Sequence, residues 1–242
     1  MPEFSDGRKP SRQPPKRWPG ITGRRFAFCA VAFVCVAVVA VRALLADIFY
    51  IPSGSMEPLL EENDRVLVSK TDYVFGDIKR GDVVVFDGRG SFAPLGEGGL
   101  QQAISDAAHF FGVGVSGTNY VKRVIGTSGD TVVCCDSAGR LSVNGNAIAE
   151  PYVFPMDEPS DTQFEVAVPE GKLWLMGDHR SESFDSRGLL GAPGGGLVSQ
   201  ERVIGRATHV LWPFDRFTAI PRPADSSSSA RLSPNAQQRN SK

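Results

Sequence analysis

The chain is poor in the side chains that hold metals or build disulfide frameworks, with four cysteines and three histidines among 242 residues. His109, His179 and His209 are scattered, and neither CxxC nor HExxH spacing occurs, so no metal and no cofactor is expected. An excess of one charge sign is missing too, since the formal net charge is −1. That balance is unevenly distributed. Residues 1–25 hold Arg8, Lys9, Arg12, Lys16, Arg17, Arg24 and Arg25 against Glu3 and Asp6, and the rest of the chain is acidic. An acidic body argues against nucleic acid as a partner, while the basic head suits an anionic surface such as a cytoplasmic membrane leaflet. The length allows one folded domain with appendages.

Charge disappears altogether between Phe26 and Val41, "FAFCAVAFVCVAVVAV". This stretch is apolar on every side, unlike an amphipathic surface helix. With Arg42 snorkelling to the interface and Ala43 to Leu45 completing the crossing, a transmembrane anchor over residues 26–45 is expected. Its basic head, residues 1–25, would stay in the cytoplasm, and everything after Arg42 would lie outside. A cleaved secretory signal is the alternative, but no good small-x-small site stands at the outer end. Cys29 and Cys35 fall within this segment, where a small apolar side chain is the default reading. Cys134 and Cys135 adjoin in "DTVVCCD"; strand neighbours point to opposite faces, so a bond between them needs local distortion and a free pair fits at least as well.

The body, residues 46–220, lacks the long periodic segments of helices and the crossovers of a doubly wound sheet. Short branched runs recur between turn signals instead: "RVLVS", "GDVVVFD", "NYVKRVIG", "GDTVVC", "RLSVNG", "QFEVAVPEG", "KLWLMGD" and "RVIGRATHVLW". They predict a mainly β, antiparallel, partly barrel-like domain behind one N-terminal helix. Residues 88–118 are glycine-rich and read as an insertion, with one short helix over 100–111. The tail, residues 221–242, lacks apolar content and is expected to be disordered.

Three segments carry possible chemistry. In "YIPSGSMEPLL", Pro52 and Pro58 forbid a regular helix and Gly54 loosens the backbone between Ser53 and Ser55. This composition fits a solvated turn as well as a nucleophile. In "NYVKRVIGTSGD", alternation puts Lys122 on one face with Tyr120 and Val124, and Val121, Arg123 and Ile125 on the other. A lysine flanked by Tyr and Val loses solvation, which lowers its pKa toward usefulness as a base; an edge-strand lysine that discourages aggregation is the competing reading. In "MGDHRSESFDSRGLLG", Asp178 with Arg180 and Asp185 with Arg187 are candidate salt-bridged pairs, either of a surface turn or of a frame around a site.

Taken in order, "IPSGSMEPLL", "RGDVVVF", "YVKRVIGTSGD" and "GDHRSESFDSR" resemble the sequence boxes of bacterial type I signal peptidases, membrane-anchored serine endopeptidases. The resemblance runs from about Arg42 to Pro213. It implies Ser55 as nucleophile and Lys122 as general base. It also implies an oxyanion hole from the Ser53 hydroxyl and the Ser55 N–H, Ser183 hydrogen-bonded to the lysine, Asp185 and Arg187 as a supporting pair, and Tyr120 and Gly177 shaping the site. Its expected partners are preprotein signal peptides, cut after small residues of the Ala-x-Ala kind, the lipid bilayer and the secretion translocon. The family more often has Asn at the place of His179 and Asp-Asn at Ser181-Glu182. Three rivals remain: a LexA-type repressor, which needs a DNA-binding head; a Ser55–His179–Asp185 relay; and a non-catalytic anchored binding module.

Overall fold

The computed structural model describes residues 23–93 and 118–222. The expected short helix at 100–111, most of the 88–118 insertion, most of the basic head and the tail beyond 222 lie outside them. The chain divides into two units, Met1–Ala40 and Val41–Lys242. Helix α1 (Gly23–Leu44) has 22 residues, and its described side chains are almost all apolar and exposed, Phe26, Phe28 and Phe33 among them. Among the described residues no helix is long and apolar enough to cross a membrane. The side chains of 41–43, Arg42 included, are outside those described, so the anchor over 26–45 is not established by the structure.

The described residues of the second unit hold twelve strands: β1 (Ala46–Tyr50), β2 (Arg65–Ser69), β3 (Val83–Asp87), β4 (Asn119–Gly126), β5 (Thr131–Cys134), β6 (Ser142–Val143), β7 (Asn146–Ala147), β8 (Phe164–Ala167), β9 (Lys172–Met176), β10 (Val198–Ser199), β11 (Val203–Trp212) and β12 (Thr218–Ala219). They form an eight-stranded sheet in the order β1-β2-β11-β3-β4-β9-β10, with β12 on β11, and a four-stranded sheet β7-β6-β5-β8. Every strand pairing in both sheets is antiparallel, as expected. The larger sheet keeps β1 and β10 as open ends, so it does not close into a barrel.

The unbroken apolar run of β3 has a physical reason. Val83 and Val85 enter one core cluster with Phe49, Met56, Leu60, Val66 and Val210, while Val84 and Phe86 enter another with Val124, Leu173 and Leu175. A strand covered on both faces has no use for polar alternation. The next strand but one in the sheet, β9, repeats the pattern: Leu173 and Leu175 face that second cluster, and Trp174 and Met176 join Val132, Val143 and Phe164 of the smaller sheet. Replacing buried Trp174 by Ala would cost about 3–5 kcal/mol. β11 serves β3 through 203–206 and β2 through 206–212, and takes β12 at 209–210. Gly205 sits where the register shifts, and a Cβ there would run into the Ser69 carbonyl.

Cys134 and Cys135 are joined as a disulfide, not left as a free pair. Cys29 and Cys35 are free and exposed on α1.

Candidate active site

The turn that carries Ser53 and Ser55 is pegged into the core on both sides. Ile51 and Met56 are buried, the Ile51 N–H donates to the Asp64 carbonyl at 2.9 Å, and the Glu57 N–H donates to the Gly54 carbonyl at 2.9 Å. Between those pegs, Ser55 presents its hydroxyl to β4. Lys122, opposite Val84 in the β3–β4 register, reaches it: Nζ lies 2.6 Å from Ser55 Oγ. Ser53 Oγ lies 3.5 Å from Ser55 Oγ. The Ser55 N–H donates to no acceptor among the described residues.

The β4 alternation places both of its basic residues in the interior, Lys122 and Arg123 each being 3% exposed. Burial lowers the Lys122 pKa to about 8, with the carboxylates of Asp185 and Asp178 opposing that shift and the Arg187 guanidinium reinforcing it. An amine this desolvated is neutral in a useful fraction of molecules near neutral pH and can accept a proton. Tyr120, on the same face as Lys122, packs on Phe86 and Phe92 at centroid distances of 5.8 and 5.3 Å.

The loop 177–187 is held by its charges. Asp185 is fully buried and accepts from Arg187 Nε at 2.9 Å, from Arg187 Nη2 at 2.9 Å and from the Gly177 N–H at 3.0 Å. Burial pushes its carboxyl up, but these donors outweigh burial and hold it below the usual range. Gly177 has no room for a side chain, because a Cβ would meet Ser183 and the Ser55 carbonyl. The hydrogen bond expected from Ser183 to Lys122 is not formed: Ser183 Oγ is buried without a hydrogen-bond partner among the described residues, and its nearness helps to lower the Asp185 carboxyl.

The other expected ion pair is replaced by two longer-range ones. Asp178 does not pair with Arg180; it takes Arg123 in a bidentate contact of 2.7 and 2.5 Å, and Arg123 also donates to the Gly81 carbonyl at 2.8 Å and lies over the Tyr152 ring. Arg180 pairs with Glu150 and donates to the carbonyls of Gly177 and Pro159. Ser181 bonds Asp157 through Oγ at 2.8 Å, and the Phe154 N–H donates to the Asp178 carbonyl at 2.9 Å. The stretch 150–159, for which sequence reading assigned no role, therefore clasps the loop. No local signal marked it, since Glu150 lies 30 residues from Arg180.

His179 makes no hydrogen bond to the serine hydroxyl, whose partners are Lys122 and Ser53. Its ring stacks on Phe154 at 3.9 Å, and Nδ1 has no hydrogen-bond partner. Asp185, the third member of such a relay, is committed to Arg187 and Gly177. Among the described residues no group of three or more His, Cys, Asp or Glu side chains could hold a metal ion.

A serine hydroxyl within hydrogen-bond reach of a desolvated lysine, on an antiparallel β scaffold, is an arrangement suited to hydrolysis through a covalent intermediate. The comparisons with known proteins agree with that class. The family model described as "Signal peptidase, peptidase S26" matches residues 24–212. Signal peptidase I of Mycobacterium tuberculosis is 36% identical over 225 residues, covering 82% of this chain and 76% of that protein. A probable signal peptidase I of Mycobacterium leprae is 34% identical over 226 residues, 78% of each chain. Signal peptidase I of Bacillus licheniformis is 32% identical over 194 residues, 77% of this chain and 87% of that one. The chain belongs to the S26 signal peptidase family and is an enzyme of the type I signal peptidase class, a serine peptidase.

Proposed function

We propose that this protein removes N-terminal signal peptides from exported preproteins by a Ser55/Lys122 dyad, cutting after small residues of the Ala-x-Ala kind at the outer surface of the membrane. The observation that carries the mechanism is the 2.6 Å contact between Ser55 Oγ and the Nζ of a lysine whose pKa is about 8. Neutral Lys122 takes the hydroxyl proton as Ser55 attacks the carbonyl before the scissile bond. The tetrahedral oxyanion is met by Ser53 Oγ and the Ser55 N–H. Protonated Lys122 gives its proton to the departing amine, and an ester on Ser55 remains; Lys122, neutral again, activates the water that hydrolyses it. Loop 177–187 keeps carboxylate charge near the amine and packs Ser183 and Gly177 beneath the nucleophile turn.

The substrate has a place to lie. β9 pairs with β4 only from Arg123 onward, so among the described residues Asn119 to Lys122 are paired on one side alone, by β3. An extended peptide added along that edge, beside Ser55, gains main-chain hydrogen bonds without needing a particular sequence. The apolar helix α1 is the membrane anchor in this reading, its basic head is cytoplasmic, and bilayer and translocon are partners. External protease on intact spheroplasts should then digest the domain after Arg42 and spare a short N-terminal fragment; protection of the whole chain sinks the orientation.

The decisive test of function incubates the full chain in detergent with a preprotein and sequences the new N-terminus. Cleavage after a small residue by the wild type and none by Ser55→Ala is expected. Equal cleavage by both would show the nucleophile assignment to be wrong; cleavage by neither would favour the binding-module alternative.

A further inference from the structure

His179 is the one imidazole in loop 177–187 and the proposed chemistry leaves it unused, yet it grips the nucleophile turn. Its main-chain N–H donates to the Ser55 carbonyl at 3.2 Å. Its imidazole lies flat on Phe154, with rings 13° from parallel, and its buried Nδ1 has no hydrogen-bond partner. The carboxylate of Glu57 stands 3.9 Å from that nitrogen. Glu57 belongs to the same turn: its N–H closes onto Gly54, and its carboxylate lies so close over Gly54 that a Cβ there would be 2.9 Å from Oε1.

The charged neighbours are already engaged. Asp178 holds Arg123, Arg180 holds Glu150, and Arg187 holds Asp185. Glu57 makes no other ion pair among the described residues. A buried ring nitrogen without a partner is costly, and a shift of the flexible Glu57 side chain by about 1 Å would bring its carboxylate into hydrogen-bond range.

We propose that Glu57 and His179 form a positioning pair in which Nδ1–H is directed at the Glu57 carboxylate. The pair locks the Ser53–Glu57 turn to loop 177–187 and thereby sets Ser55 Oγ against Lys122; it rests on the dyad reading above. Neither residue touches the reacting atoms. The pair acts on how well the serine is aimed, so its loss should appear in kcat and leave KM in place.

The test compares wild type, His179→Phe, His179→Asn, Glu57→Ala and the His179→Phe/Glu57→Ala double variant as full chains in detergent, on one preprotein-derived peptide. kcat is referred to active sites counted by an acylating burst, so that misfolded protein does not count. His179→Phe keeps the stack on Phe154 but deletes the donor, whereas His179→Asn keeps a donor at the δ position. The expected result is a kcat about tenfold lower in His179→Phe and in Glu57→Ala, KM within about twofold, a double variant no slower than the slower single, and near-wild-type kcat in His179→Asn. Losses that multiply in the double variant, a His179→Asn as slow as His179→Phe, or a His179→Phe within twofold of wild type each overturn the pair. Ser55→Ala run alongside separates the two claims. Its full activity overturns the dyad and the pair together, and its inactivity leaves the pair to be judged on its own variants.

Discussion

In the eight-stranded sheet, Lys122 is placed by strand register, between β3 and the start of β9, and it reaches Ser55 without help from any long loop. The segment emerging from the four-stranded sheet works in the opposite way. It carries no group of the proposed dyad, yet through Glu150, Phe154, Asp157 and the Pro159 carbonyl it fixes the loop that packs beneath Ser55. One region supplies reactive groups on a rigid ladder. The other supplies the frame, through contacts that tie together irregular backbone. The contrast implies that damage to the first should remove chemistry and spare the fold, whereas damage to the second should do the reverse.

The largest effect expected on the ladder side comes from Lys122→Met, which keeps the length of the side chain and deletes the amine. Activity should fall by about 10⁴-fold or more, as when the base is removed from other serine hydrolases. A folded Lys122→Met chain that keeps a tenth of the activity would end the dyad reading. Ser53→Ala should come next, with a kcat lower by about 10²–10³, the scale of one lost oxyanion donor. An unchanged kcat would remove Ser53 from the oxyanion hole.

The pH dependence follows in size. Only the neutral amine accepts a proton, so log kcat should climb with slope one from about pH 6 and flatten above about 8, where Lys122 titrates, a span of about a hundredfold. A rate that instead levels near 6.5, where an ordinary histidine titrates, would return the base to the imidazole. On the frame side the activity effect is smallest. Glu150→Ala leaves buried Arg180 without its carboxylate, and loss of one partner from a buried pair costs about 3–5 kcal/mol of stability. Its thermal unfolding should shift down clearly while kcat of the folded fraction stays within tenfold. Equal damage to both readouts would erase the distinction between the two regions.

That distinction also marks what could be read in advance. The ladder was legible because alternation and turn residues are local signals: the runs at 65–69, 83–87, 119–126 and 172–176 became strands. Alternation in β4 leads one to expect either Lys122 or Arg123 inward, and the fold buries both. β1 was not anticipated, since its "ADIFY" continues the apolar helix segment and offers no turn signal between the two. The strands of two residues are too short to show a period. In the frame, only Asp185 with Arg187 was legible, being neighbours on one loop. Arg123 with Asp178 and Arg180 with Glu150 are 55 and 30 residues apart, and nothing local in the sequence pairs them. The Cys134–Cys135 bond went against the expectation that strand neighbours diverge; the pair lies at the end of β5, where the ladder stops constraining them.

A lysine held at about 8 inside a folded protein is also a load on that protein. Its ordinary value is 10.5, so between about pH 8 and 10.5 the unfolded chain binds a proton that the folded chain has released. Resistance to unfolding therefore increases with pH across that window, by about 1.4 kcal/mol per unit and about 3 kcal/mol in all. Below about pH 8 the amine is charged in both states and the whole deficit remains. The catalytically dead Lys122→Met chain should thus be the sturdier molecule at neutral pH, melting several degrees higher, with its advantage shrinking as the solution is made alkaline. A selection for heat resistance alone would be expected to discard the lysine first.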